Sequence, residues 1–325
     1  MPLNNILSVT NGFFDDNNAK VSAKNGFGAA DSLLNSFPPW GRLTGRTPMV
    51  QALLSFLKEV KRMLNDFEMI SHRFKNNEIT IIPVADVHFG ALEHVKAEWE
   101  QFCRFIEETP NTYLILGGDL INNSIRSSVA NPFDEVYRPR EQKTRMVEYL
   151  KPIKDRILCA VSGNHERRSM KDDDVDLTYD IMAKLDIEHL YRENVAFVKV
   201  ALGQRKSEDR CETTFVFGVT HGAGGGIFTG ATVNRNERFG NIIEGLDCLI
   251  VGHTHKGTIS KPSKIVIDSR NEKVGVKSYT VISSVSWLNY GGYAMQKMLL
   301  PSKVANPQRI IIGGNRNEKK FEVRW

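Results

Sequence analysis

A chain of 325 residues that is 41% hydrophobic and 25% charged, with 25 glycines and 12 prolines, has ordinary globular proportions, which excludes collagen-like, low-complexity and wholly disordered architectures. Its net charge of +5, from 43 basic and 38 acidic side chains, permits a polyanionic partner without arguing for one, because the like charges are not gathered into long blocks. No apolar run reaches the roughly 18 residues of a membrane span, and the start lacks a basic region followed by an apolar one, so the expectation is a soluble, cytoplasmic protein with no membrane attachment.

In chain order, residues 1–46 are rich in Asn, Gly, Ser and Asp and read as an arm. Thr47 and Pro48 then suit the start of a helix, in which Met49, Leu53, Phe56, Leu57, Val60, Leu64 and Phe67 form one apolar stripe. Residues 72–78, HRFKNNE, read as a polar connector. These segments divide the chain into an N-terminal arm with its helix, 1–76, and a larger domain, 77–325. In the latter, strand-like runs at 79–86, 112–119 and 156–166 alternate with helical segments at 94–108, 139–150 and 173–186. Strand patterns then dominate at 195–202, 213–222, 246–255, 264–268, 277–285 and 309–313. Alternation followed by a strand-rich half predicts an α/β core with an added sheet. Cys103, Cys159, Cys211 and Cys248 have no CxxC spacing, and Cys159 and Cys248 sit in apolar runs, which argues against a thiolate metal cluster and fits a reducing compartment.

Five apolar runs stop abruptly at Asp, His or Asn beside Gly. These loops read Asp86-Val87-His88, Gly117-Gly118-Asp119, Gly163-Asn164-His165-Glu166, His221-Gly222 and Gly252-His253-Thr254-His255. Loops after the carboxyl ends of strands line the ligand crevice of an open α/β sheet. Imidazoles, carboxylates and one amide, with no thiolate, suit divalent transition metals of intermediate hardness, and the number of ligands exceeds what one tetrahedral ion takes. Taken singly, Asp119 reads as a turn residue, His221 as a structural histidine, Asn164 as a cap and His253 and His255 as a surface pair; the pattern rests on the set. The Gly222–Gly226 run lacks the GxxxxGK[ST] arrangement of a nucleotide-binding loop. The aperiodic stretch from Asn122 to Pro139 reads as an insertion or lid. Arg126, Arg167, Arg168, Arg235 and Arg238 are candidates for a second phosphate or a nucleic-acid backbone.

The series DVH, GGD, GNHE, THG and GHTH resembles that of the calcineurin-like metallophosphoesterases over roughly residues 79–260, and the GNHERR stretch is similar to phosphoesterases common in phage and bacterial genomes. The resemblance implies a four-layer α/β/β/α sandwich, two packed mixed sheets flanked by helices, with a dinuclear metal site at the carboxyl ends of the strands. By the same resemblance Asp86, His88 and His255 hold one metal, Asn164, His221 and His253 the other, and Asp119 bridges them. His165 faces the leaving group as general acid, Glu166 supports that histidine, and Asn122 contacts substrate. The implied cofactors are two divalent ions, Mn²⁺ first, with Fe, Zn or Ni also compatible. The implied reaction is attack on phosphorus by a hydroxide bridging ions about 3.5–4 Å apart. Its substrate is a phosphate ester, read as a phosphodiester of the nucleic-acid or nucleotide kind, hence a nuclease-like activity. The alternatives are a phosphomonoesterase or protein phosphatase and a non-catalytic scaffold on the same fold. Asn122 stands where the protein-phosphatase branch carries Asp, and GGDLINN lacks that branch's following Arg, which counts against it. Intact ligands and His165 count against the scaffold.

Overall fold

Runs such as ILCAV and CLIV contain almost nothing but β-branched and small apolar side chains, and such runs become strands covered on both faces. The computed structural model describes residues 67–126, 128, 131–203, 212–301, 304–314 and 318–325. The arm over 1–46, the body of the helix read from Thr47 and Cys211 lie outside them.

Fourteen strands are present among the described residues. One six-stranded sheet contains β2 (Glu78–Val84), β3 (Thr112–Leu116), β4 (Ile157–Val161) and β5 (Tyr191–Arg192), all mutually parallel. Beyond β2 it is extended by β13 (Arg309–Gly314) and β14 (Lys319–Arg324), each antiparallel to its neighbour. The second six-stranded sheet has the order β1 (Ile70–Phe74), β6 (Val195–Leu202), β7 (Thr213–Thr220), β8 (Cys248–Val251), β12 (Thr280–Ser283) and β9 (Thr258–Ser260). Within it β7, β8 and β12 are parallel, while β6 runs against β7 and β9 against β12. A separate ribbon pairs β10 (Ser263–Asp268) with β11 (Lys273–Ser278).

The sheets meet through β4 on β6 and β13 on β7, and Phe215 and Phe217 of β7 lie 6.2 and 6.3 Å from the ring of Phe321 on β14. The described helices flank this pair. They are α1 (Lys96–Glu108), α2 (Pro139–Leu150), α3 (Glu166–Asp173), α4 (Leu177–Lys184), α5 (Thr229–Asn241) and the short α6 (Gly292–Gln296). α4 packs on β4 and β5, and α5 packs on β12 and β9. α1 turns Trp99, Phe102, Cys103 and Ile106 inward at the three- and four-residue spacing of one helical face. Trp99 is fully buried edge-on against Trp287 at 5.1 Å. The backbone N–H of Trp287 in turn donates to the Asp86 carbonyl at 3.0 Å, so the residue packed on α1 is tied to the first of the polar loops. The fold is thus the expected pair of mixed sheets between helices. No described helix is long and apolar enough to cross a membrane.

Several elements depart from the sequence reading. Residues 70–74, at the start of the stretch read as a connector, form β1 alongside β6. The polar stretch after GNHE is helix α3, and α5 arises where no helix was read. The run 277–285 is divided, its first residues ending β11 and Thr280–Ser283 forming β12 in the main sheet. The Asn122–Pro139 insertion is pinned to the body: Glu135 accepts from Asn122 Nδ2, Ser124 N and Gln142 Nε2 at 3.0, 2.7 and 2.6 Å.

Candidate metal centre

Parallel neighbours deliver their following loops to one side, and two such groups converge here. Asp86 follows β2, Asp119 follows β3 and Asn164 follows β4 in the first sheet; His221 follows β7 and His253 follows β8 in the second. A cross-sheet bond joins the groups, from His221 Nδ1–H to the Gly117 carbonyl at 2.8 Å. Because a carbonyl only accepts, Nδ1 carries the hydrogen and Nε2 is left as the ligating nitrogen.

The chain must turn sharply to aim these side chains. Asp86, His88, Asp119, His253 and His255 all have left-handed backbone, with φ of 54°, 46°, 51°, 72° and 58°. Such conformations cost on the order of 1–3 kcal/mol each and persist where the surroundings fix them. Asp and His tolerate them better than most residues. Gly163 serves the same loops by being small: a Cβ there would collide with the backbone nitrogen and carboxylate of Asp119.

The side chains predicted from sequence come together. Asp86, His88 and His255 form one group, and Asp119, His221 and His253 another, with candidate ligand atoms in each within 4.8 Å of one another. His88 Nε2 lies 3.0 Å from His255 Nε2 and 3.8 Å from both Asp86 Oδ1 and Asp119 Oδ2. His255 Nε2 is 3.3 Å from Asp86 Oδ1. On the other side His221 Nε2 is 3.2 Å from Asp119 Oδ2. Asn164 Oδ1 lies 2.9 Å from His221 Nε2 and 2.6 Å from His253 Nδ1. Asp119 therefore stands between the groups. Asp86, His88, Asp119 and His221 are buried, whereas Asn164, His165, His253 and His255 are partly exposed, which places the centre at an accessible rim.

The charges test whether a cation fits. Burial disfavours a proton on His221, but the Asp119 carboxylate, its hydrogen bond and Asp86 outweigh burial and raise the pKa to about 10. Burial likewise opposes a charge on His255, and Asp86 more than offsets it. His88, buried and ringed by other imidazoles, is driven well below its usual range. Protons thus settle on His221 and His255, the imidazoles drawn to Asp119 and Asp86, and not on His88 or His253, and a divalent ion would displace them. Nitrogen and oxygen donors of this kind fit a divalent metal site.

Glu166 is completely buried, and its environment differs from that expected. Its oxygens accept from the backbone N–H of Asp119, Leu120, Ile121 and Gly163 at 3.0, 2.6, 3.2 and 3.0 Å. It therefore clamps the β3 and β4 loops together and holds Asp119, rather than supporting the His165 ring. Burial, then the neighbouring Asp119, pushes its pKa up to about 7. His165 Nδ1–H instead donates to the Asn122 carbonyl at 2.6 Å, and His165 N–H donates to Asp119 Oδ1 at 2.8 Å. The Asn122 amide faces Glu135 and Ser124, so the backbone carbonyl is the part of Asn122 that meets the centre. Asn123 was not singled out from sequence; buried, it donates to the His165 carbonyl at 2.7 Å and meets Ser169. Of the arginines, Arg167 is tied to the Ser162 and Glu193 carbonyls and Arg235 to that of Gly225, whereas Arg168 reaches the Asn122 carbonyl.

Residues 79–257, more than half the chain, match the model of the calcineurin-like phosphoesterases, and the chain belongs to that family. Among solved structures it is similar to a predicted phosphoesterase of Streptococcus pneumoniae at 11% identity and a TM-score of 0.30, covering 76% of this chain and 87% of the other. It is also similar to a metallophosphoesterase of Sphaerobacter thermophilus at 14% identity and a TM-score of 0.33, covering 72% and 83%. A search of curated proteins gives no match.

The Glu166 clamp makes a quantitative demand. Glu166→Gln replaces an acceptor oxygen by an N–H₂ group pointed at N–H donors, so metal affinity should fall about 10–100-fold, as for the loss of an outer hydrogen-bond partner. Titration with Mn²⁺ followed by calorimetry reads this directly; an unchanged affinity contradicts the clamp.

Proposed function

We propose that this calcineurin-like phosphoesterase is a dinuclear metal-dependent phosphodiesterase. The reading is supported above all by the convergence of seven candidate ligands from five loops around Asp119. Asp86, His88 and His255 would hold one cation, Asn164, His221 and His253 the other, and Asp119 both. Nitrogen and oxygen donors of this kind admit Mn²⁺, the first choice, as well as Fe, Zn or Ni. Bound divalent ions supply Lewis-acid stabilisation of the phosphoryl oxygens and make water acidic enough to lose a proton near neutral pH.

The protein's own part is positioning and proton transfer. Glu166 fixes the Asp119 loop through four backbone N–H groups. The Asn122 carbonyl keeps a hydrogen on His165 Nδ1, so Nε2 is the atom that exchanges a proton. As the bond from water oxygen to phosphorus forms and the bond from phosphorus to the leaving oxygen breaks, His165 Nε2–H protonates the leaving oxygen. Burial lowers the pKa of His165 against the pull of Asp119, which makes its protonated form a stronger acid.

Charge favours a diester. Two divalent ions held by the Asp86 and Asp119 carboxylates would leave a surplus of two positive charges. A diester monoanion with one hydroxide neutralises that surplus; a monoester dianion with hydroxide exceeds it. Bis(4-nitrophenyl) phosphate should therefore be turned over faster than 4-nitrophenyl phosphate with Mn²⁺ present, and the reverse order contradicts the diesterase assignment.

Asp119→Ala should lose both metals and hydrolysis, read by metal analysis after equilibrium dialysis; two retained equivalents contradict its bridging place. His165→Ala should keep the metals and slow alkyl phosphodiesters by about 10²–10⁴-fold, with a smaller loss for nitrophenolate leaving groups. Unchanged turnover of alkyl esters removes the general-acid role.

A further inference from the structure

The sequence places two arginines after Glu166, and the structure separates them. Arg167 Nη2–H donates to the Ser162 and Glu193 carbonyls at 3.2 and 2.9 Å, which ties it to the scaffold. Arg168 lies in the first turn of α3 and turns toward the loop of Asn122 and Asn123. Its Nη1–H groups donate to the Asn122 and Asn123 carbonyls at 3.2 and 3.4 Å. The Asn122 carbonyl also accepts from His165 Nδ1–H, so guanidinium and imidazole lie side by side on one acceptor.

A half-buried guanidinium is normally matched by a carboxylate. Asp119, Glu166 and Glu135 all act on Arg168 electrostatically, yet it forms no ion pair among the described residues. Glu166 is engaged by four backbone N–H groups, and Glu135 by Asn122, Ser124 and Gln142. The Nε and Nη2 hydrogens of Arg168 have no protein acceptor among the described residues, and neither atom is among the buried polar atoms without a partner, so this edge is open to solvent. Those two nitrogens are the edge of the guanidinium that grips a phosphate with parallel hydrogen bonds.

The position of this edge carries chemical information. His165 Nε2 faces Asp119 at 3.8 Å, whereas Nδ1 faces the Asn122 carbonyl and Arg168. Arg168 thus lies on the side of His165 away from the metal ligands. If His165 Nε2 protonates the leaving oxygen, Arg168 lies past the far, Nδ1 edge of that imidazole, where a leaving moiety that runs outward alongside the ring reaches it.

We infer that Arg168 binds a second phosphate carried by the leaving moiety, so that the preferred substrate is a phosphodiester whose leaving group is itself phosphorylated, as in a nucleotide chain. This rests on the phosphodiesterase reading and on the place of His165 within it. The phosphate takes the free Nε–H and Nη2–H, and Nη1 keeps the loop carbonyls.

The test compares d(TpT) with d(pTpTp), which present the same internal diester without and with terminal phosphates, using the full chain with Mn²⁺. The wild-type protein should prefer d(pTpTp) at least tenfold in kcat/KM. Arg168→Met should reduce that preference to within twofold, and Arg168→Lys should restore part of it through KM. Binding of both oligonucleotides measured in EDTA reads the same contact without turnover, and Arg168→Met should weaken d(pTpTp) at least fivefold there. Equal wild-type values for the two oligonucleotides, or equal losses on both in Arg168→Met, overturn the proposal and leave Arg168 a loop brace. Bis(4-nitrophenyl) phosphate serves as the control for the underlying reading. Its hydrolysis together with an absent phosphate preference sinks the Arg168 proposal alone, whereas no hydrolysis of any ester sinks both.

Discussion

The architecture depends on a crowding of like donors that is unfavourable in the bare chain. Two carboxylates, four imidazoles and an amide oxygen are pressed within a few ångströms, and five of these residues have left-handed backbone. Neither feature lowers the energy of a protein by itself. Both are tolerated because rigid elements from two sheets meet at that point and because the side chains compensate locally. Asp86 accepts from His253 N–H at 2.9 Å, and His221 links its strand to Gly117 across the sheets. Protons drawn to His221 and His255 relieve part of the repulsion, and a divalent ion would take their place. Strain and electrostatic frustration at a site, balanced by the surrounding packing, are what a preorganised metal centre requires.

Around this centre lies a layer of hydrogen bonds that fixes its geometry. Glu166 holds the Asp119 loop, Glu135 and Gln142 hold the Asn122 segment, and the Asn122 carbonyl orients His165. A short chain of contacts therefore connects the stretch that reads as a lid to the imidazole proposed as acid. The insertion is part of the support, fastened at Glu135.

Much of this was legible in the sequence because the strand ends announce themselves. Val84, Leu116, Val161, Thr220 and Val251 close apolar runs, and the Asp, His, Asn and Gly that follow are the residue types that accept tight turns. The helix at 94–108 was visible because Trp99, Phe102, Cys103 and Ile106 are its buried face. Other elements escaped because their buried faces are not apolar. α5 turns Thr232, Asn236 and Gly240 inward at four-residue spacing, and α3 buries Glu166 and Ser169, so hydrophobic periodicity has nothing to register. β1 is an edge strand in which Ile70 is buried while Ser71 and Arg73 are exposed, and its polar half disguises it. The role of Glu166 was misjudged for a different reason: its four partners are backbone groups from two loops, and sequence carries no sign of where a backbone N–H will lie.

The central claim is that these loops cage two cations around Asp119. Crystals grown with Mn²⁺, examined by anomalous diffraction, test it most directly. The account predicts two anomalous peaks, one against Asp86, His88 and His255, the other against Asn164, His221 and His253, with Asp119 touching both. A single peak away from Asp119, or none among these side chains, contradicts it.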